Sequence, residues 1–277
     1  MAARLCRKSI LYFMIAILLV ICLFPLVWSI FGSFKTNSEM YNFPYAFIPK
    51  YPTIENFKTL FSISNFLNCL KNSVFVSFGA TLLSLVVSCL ASYSLTRFQF
   101  PGAKMLKQLT MDSYMIPPIL LILPIYSLLT SVGLRDNLWI YTIMTMTETL
   151  PFCLWLFNSY FAGVPVDFEE AAMIDGATRF KAFYKTVLPQ LTPAIIAVGI
   201  QAFILVWNDL LYAKILLSSD NHRTLPLVLS SMFAQDQVYP WGVILAGTVV
   251  ATVPVLFMFV FGVEKLISGW SDGGVKG

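Results

Sequence analysis

The chain has 277 residues, of which 58% are hydrophobic and 12% charged, where a soluble domain carries about a quarter charged residues. That much apolar surface exceeds what a chain of this length can hide from water, so lipid is the expected solvent and the domain count should follow membrane spans. The net charge of +4 comes from scattered Lys and Arg, which excludes a nucleic-acid footprint clustered on one face.

A bilayer core about 30 Å thick takes about 20 apolar residues at 1.5 Å each. Arg4, Arg7 and Lys8 precede an apolar run longer than the ~7–15 residues of a signal-peptide core, so the run is expected to stay as an anchor. It forms the first span, 9–34, and 72–96 the second. The third, 113–134, has Asp112 at its mouth. The fourth, 138–161, carries Glu148 inside, the fifth, 192–212, has Asp209 near its end, and the sixth is 241–263. The expectation is an all-α membrane protein of six spans in one domain, 1–277.

With both termini in the cytoplasm, eleven Lys and Arg fall inside and seven outside, the bias expected of cytoplasmic connections. The outer connection 35–71 holds Pro44, Pro49 and Pro52, which suit an irregular path. The outer connection 214–240 starts polar and turns amphipathic. The inner connection 165–189 is charged and helical in pattern.

Within the spans, Glu148 and Asp209 are ionisable groups that hydrocarbon penalises, so they should face the bundle interior or water. Glu148 reads equally well as a wall of a solute path or as an interhelical bond. Asp209, with Asn208, shapes a helix end, and Asn208 is also a candidate for the solute path. Pro117, Pro118 and Pro124 break the helical ladder of span three, and freed carbonyls must be buried or line a cavity. That places Pro117 and Pro118 near a path, with simple packing kinks as the other reading. Cys6, Cys22, Cys69, Cys89 and Cys153 form no CxxC, and with the lone His222 they make no zinc site. No metal or cofactor is expected.

The inner connection has local structure of its own. Asp167 reads as an N-cap with Glu170 at the N3 position of a capping box. Ala171 and Ala172 keep the helix thin enough to lie close to another surface. Gly176 suits a sharp turn between two short helices. Beyond it, Phe180, Phe183, Tyr184 and Val187 follow helical spacing as one apolar stripe, flanked by Arg179, Lys181 and Lys185, and Pro189 separates this helix from span five. An amphipathic helix on the membrane surface would share these features.

The run Glu170, Ala171, Ala172, Met173, Ile174, Asp175, Gly176, Ala177, followed by Leu188 and Pro189, resembles the EAA motif of ABC-importer permeases. Thr186 stands where that motif's ending has a hydrophobic residue. The resemblance implies a type I ABC importer transmembrane domain, whose 165–190 coupling loop seats in a groove of a separate ATPase dimer. Trp207, Asn208 and Asp209, the segment 91–102, and the tail 271–277 are similar to the maltose-type carbohydrate permeases. That likeness implies a heterodimer with a second homologous permease, in the cytoplasmic (inner) membrane of a bacterial-type cell. It implies that Gly273, Gly274, Val275, Lys276 and Gly277 reach the ATPase interface. It also implies an extracytoplasmic solute-binding protein that meets Leu225, Leu229, Met232, Phe233 and Trp241.

No GxxxxGK[ST] phosphate loop occurs in the chain, so ATP hydrolysis is expected on another subunit. An intramembrane serine protease would need a base near its nucleophile, and the one histidine lies in an outer connection. A secondary transporter would show internal repeats, and none is found. The expected solute is a sugar or sugar-like molecule, with a glycerol-phosphate derivative as the alternative. The spans contain no Lys or Arg to favour a phosphate.

Overall fold

The computed structural model describes residues 2–42, 46–63, 65–233 and 240–273. Among these, all regular structure is helical. The helices are α1 Ala2–Ser33, α2 Asn37–Tyr41, α3 Glu55–Ser62, α4 Phe66–Arg97, α5 Ala103–Tyr114, α6 Pro118–Ser131 and α7 Leu138–Ala162. After these come α8 Asp167–Ile174, α9 Arg179–Ala182, α10 Leu188–Gln190, α11 Thr192–Trp207, α12 Leu211–Leu216, α13 Leu225–Ser231 and α14 Trp241–Gly273, with a π-helical turn Phe183–Val187 joining α9 to α10.

Four stretches, Lys8–Ser33, Phe66–Arg97, Leu138–Ala162 and Trp241–Gly262, are long and apolar enough to cross a membrane, and two bent helix pairs bring the number to as many as six. One of those bends falls inside an expected span, and the end of a helix differs from that of another. Span three is not one helix over 113–134: α5 and α6 meet at 96°. Pro117 steers Ile116 away from helical angles, and Pro118 then opens α6 at its first position, where a missing N–H does no harm. The 14 residues of α6 reach only about 21 Å. Span five ends at Trp207 rather than 212. The Asp209 carboxylate there accepts from the N–H groups of Tyr212 at 3.3 Å and Ala213 at 3.1 Å, which starts α12 as a separate helix.

The chain divides into two compact units. The first comprises 1–67 and 228–254. Within Lys8–Ser33, the most apolar stretch of α1 has no buried residue, which fits a helix solvated by lipid. Where α1 ends, Asn56 of α3 donates to the carbonyls of Ser33 at 2.8 Å and Lys35 at 2.7 Å, satisfying groups that a helix end leaves open. The Lys35 ammonium lies over the Trp28 ring and donates to the Ala46 carbonyl, and α2 and α3 give the described part of the 35–71 connection helical structure that its prolines do not suggest.

The second unit comprises 68–227 and 255–277. One core cluster gathers Cys153, Phe157 and Phe161 of α7 with Ala194, Val198 and Ala202 of α11, Cys89 and Tyr93 of α4, and Phe183, Val187 and Leu191. A second gathers Val76, Ala80, Ile122, Leu129, Tyr141, Val206 and Tyr212. Lipid tails are as apolar as leucine, so helices here associate through close packing and hydrogen bonds. Accordingly α4 carries a buried stripe of small polar residues, Ser73, Ser77, Thr81, Ser84, Ser88 and Ser92. On α14, a Cβ at Gly262 would fall 2.3 Å from Ile200 Cδ1, so glycine allows α14 and α11 to approach.

Candidate functional site

The segment 167–190 is built as two short helices about Gly176. That glycine has φ +86°, a left-handed conformation that glycine adopts without strain, so the expected turn is present. The capping scheme differs from the expectation. The helix starts one residue earlier, with Val166 as its N-cap and no side chain capping it. Asp167 is therefore the first helical residue and Glu170 caps nothing. Thr178 caps the next helix, accepting from the Lys181 N–H at 3.3 Å.

The acid that matters structurally is Glu169. Its carboxylate takes the Arg97 Nε at 2.6 Å and the Tyr93 hydroxyl at 2.8 Å, and Arg97 also donates to the Val164 carbonyl at 2.8 Å. The two charged side chains are only 8% and 5% exposed. A buried pair with its lone pairs and protons satisfied is stable, and removing one partner costs about 3–5 kcal/mol. From sequence, Arg97 reads only as a topology marker. The signal that could have found this cluster is a Tyr and an Arg four apart at the end of an apolar run, with a second acid beside the motif.

Folding also splits the expected apolar stripe. Phe183 and Val187 are buried, Phe183 lying 4.5 Å from the Tyr93 ring. Phe180 is 74% exposed and Tyr184 61%, and Ile174, shortly before them in the chain, is 85% exposed. The widened π turn keeps Phe183 and Val187 inward while Tyr184 points out. Glu170, Ala171, Asp175, Gly176 and Pro189 are exposed, and Ala172, Ala177 and Leu188 are half-buried. The segment thus exposes three large apolar side chains among charged ones and is held from beneath by a buried ion pair.

A cavity of about 420 Å³ opens elsewhere in the second unit, among α5, α6, α7, α11 and α12. Its polar lining comes from Glu148, Asp209, Tyr114, Thr147, Thr149 and Tyr212, and Pro118 is part of its wall. Asp209 is held by the Tyr141 hydroxyl at 2.6 Å as well as by the start of α12. Glu148 is exposed and makes no hydrogen bond or ion pair among the described residues, so no interhelical bond forms from it within them. Pro117 and Asn208 do not line the cavity: Asn208 is exposed and bonds its own helix at Ile204. Tyr114, Thr147 and Tyr212 were not foreseen, since only the fold gathers them.

In 214–240, Leu225 and Met232 are buried and Leu229 fills the space beside Gly247, so three of the five apolar residues expected to meet a partner pack inward. Phe233 and Trp241 remain exposed, edge to face with centroids 6.0 Å apart. Asp136 holds the neighbouring loop, accepting from the N–H groups of Ser218 at 2.8 Å and Ser219 at 3.1 Å, with His222 3.4 Å away. Burial alone would raise its pKa, but those N–H groups and His222 outweigh it and hold the carboxyl below the usual range. Gly273 closes α14. Gly274, Val275, Lys276 and Gly277 lie outside the described residues. No cluster of three metal-ligating side chains occurs among the described residues.

Likeness to known proteins covers nearly the whole chain. A family model described as binding-protein-dependent transport system inner membrane component matches residues 84–263. The sulfoquinovosyl glycerol transport system permease protein SmoH of Agrobacterium fabrum is 34% identical, over 98% of this chain and 94% of its own. The trehalose/maltose transport system permease protein MalG of Thermococcus litoralis is 31% identical over 98% of both chains. Among solved structures, a chain of a bacterial ABC transporter for import of the acidic polysaccharide alginate matches with a TM-score of 0.80, covering 94% of this chain and 96% of that one. At 18% identity that likeness shows the fold alone.

Proposed function

The chain belongs to the inner membrane components of binding-protein-dependent transport systems, and from that premise we propose that it is one of two permease subunits of an ATP-driven importer. The observation that carries this reading is the exposure of Ile174, Phe180 and Tyr184 on a segment anchored by a buried ion pair. An exposed apolar patch rimmed by charge is a protein contact surface. Here the rim is Glu170, Asp175, Lys181 and Lys185, and the partner is the ATPase subunit, in whose groove the 167–190 segment seats. Both termini then lie in the cytoplasm. ATP hydrolysis resides on the ATPase, as this chain has no phosphate loop.

The uncovered apolar stretch of α1 meets lipid and the second permease. At the other membrane face, Phe233 and Trp241 receive the solute-binding protein. The solute passes the cavity at Glu148. Carboxylate, phenol and threonine hydroxyl groups suit a hydroxyl-rich molecule, and two relatives are named for a trehalose/maltose and a sulfoquinovosyl glycerol system. A sugar or sugar-like solute is therefore the cargo. A glycerol-phosphate derivative is disfavoured, because the cavity lining includes two carboxylates and no Lys or Arg.

Affinity purification of the chain from its own host tests the assignment. An ATPase, a second permease and a solute-binding protein are expected to travel with it, and the chain alone should hydrolyse no ATP. Hydrolysis by the isolated chain, or a purified chain without an ATPase partner, would overturn it.

A further inference from the structure

The docking segment has two covalent exits, and both are jointed. Toward α7 the helix stops at Ala162 and restarts at Asp167, with Gly163 and Pro165 between. Toward α11 the axis bends by 73°. A jointed link transmits motion poorly along its length. The rigid connection of the segment is instead non-covalent, and it runs to α4.

Both halves of the segment grip the end of α4. On the α8 side, Glu169 holds Arg97 at 2.6 Å and accepts from Tyr93 at 2.8 Å. On the other side of Gly176, Phe183 packs 4.5 Å from the Tyr93 ring, and the Arg179 guanidinium stacks 5.0 Å from the Phe98 ring. Farther along, the small-residue stripe of α4 is tied to α7. The Ser92 hydroxyl donates to the Leu154 carbonyl at 3.2 Å, and the Ser84 and Thr149 hydroxyls lie 2.8 Å apart. Thr149 and its neighbour Glu148 line the cavity.

Resting on the docking reading above, we propose that α4 is the lever that carries movement of the docking segment to the cavity wall, with Arg97 and Tyr93 as positioning residues at its grip. A buried ion pair suits this task better than apolar packing. Apolar surfaces slide past one another at little cost, whereas parting two opposite charges in a low-dielectric site is strongly opposed in every direction. A helix without a proline is stiff along its axis, and α4 has no proline from Phe66 to Arg97.

The test needs no knowledge of the cargo. The complete transporter is prepared with Thr147→Cys in this chain, and the rate of labelling by a maleimide is compared with and without a non-hydrolysable ATP analogue, against the same complex lacking the new cysteine. In the complex carrying Thr147→Cys alone, labelling of the introduced thiol should change at least threefold on nucleotide binding. The charge-free double variant Arg97→Met/Glu169→Leu, added to that background, keeps the volume of the pair and avoids a stranded charge. It should retain the ATPase and its hydrolysis within about twofold while the nucleotide response at position 147 disappears. Arg97→Lys alone, which preserves the charge, should keep part of that response, as a purely structural defect would not predict. Should the double variant fail to assemble, Tyr93→Phe is read instead, with a weakened response expected. A full nucleotide response in the assembled variant, or none in the Thr147→Cys complex, overturns the proposal. Loss of the ATPase from the parent complex is a different result, and it sinks the docking reading.

Discussion

The segment 167–190 and the cavity both contain carboxylates, and they use them in opposite ways. Glu169 is buried, paired with Arg97 and hydrogen-bonded to Tyr93. Glu148 is exposed and bonds to nothing among the described residues. An acid whose valences are filled by its own chain fixes geometry. One left open in a cavity is available to whatever enters. In this chain a carboxylate's role is therefore told by its partners, and two adjacent residues show it: Glu169 points in, whereas Glu170, the residue of the recognisable motif, points out.

Breaking the paired acid should produce the largest effect. Glu169→Leu alone strands Arg97 and is expected to destabilise the purified chain by about 3–5 kcal/mol, read from thermal unfolding in detergent. The double variant with Arg97→Met should recover most of that loss. Glu170→Gln, one residue away and exposed, should stay within about 0.5 kcal/mol of the parent. Equal losses at both positions would erase the contrast.

Next is the apolar face above the pair. Phe180→Ser with Tyr184→Ser should leave the melting of the isolated chain unchanged, since both rings are exposed. It should weaken ATPase retention by about tenfold or more, as exposed aromatic anchors do when truncated. Undiminished ATPase binding would remove the docking role from these rings. Gly176→Val forces a β-branched residue into a left-handed conformation costing about 1–2 kcal/mol, so the turn should loosen and ATPase retention fall several-fold, with the α7 and α11 packing intact by hydrogen exchange.

At the open acid, Glu148→Gln should change solute uptake by roughly tenfold while leaving the melting temperature within a degree or two, because no internal partner is lost. A stability loss comparable to that of Glu169→Leu would show that Glu148 is structural after all. The smallest effect is expected at Asp136. Its carboxyl sits below the usual range in the folded chain, so its contribution is present at neutral pH and lost only as pH falls through that lowered value. The protection factors of the Ser218 and Ser219 amides, corrected for intrinsic exchange, should be high at pH 7 and fall only below the usual carboxylate range. Asp136→Asn should abolish that acid transition. Loss of protection already near neutral pH would show that the Asp136 carboxylate does not hold these amides.

Much of the architecture could be read from residue order. Apolar runs located α1, α4, α7 and α14, because a helix in lipid must satisfy its own backbone and needs only length and hydropathy to declare itself. The turn at Gly176 was legible because few residues adopt a left-handed backbone. The paired prolines warned of trouble in span three, yet not that it would fold as two helices at 96°. For Leu225, Leu229 and Met232, apolarity was visible but direction was not: the same residue types suit a partner surface and a private core.

What the sequence by itself determined is the solvent, the helical class and the turn at Gly176, since each follows from local composition and backbone preference. Only the tertiary structure decided which acid is clamped and which is free. Arg97 and Glu169 lie 72 residues apart, and Glu148 of α7 and Asp209 of the break between α11 and α12 reach one cavity. Pairing and enclosure depend on distance in space, and no periodicity along the chain encodes that.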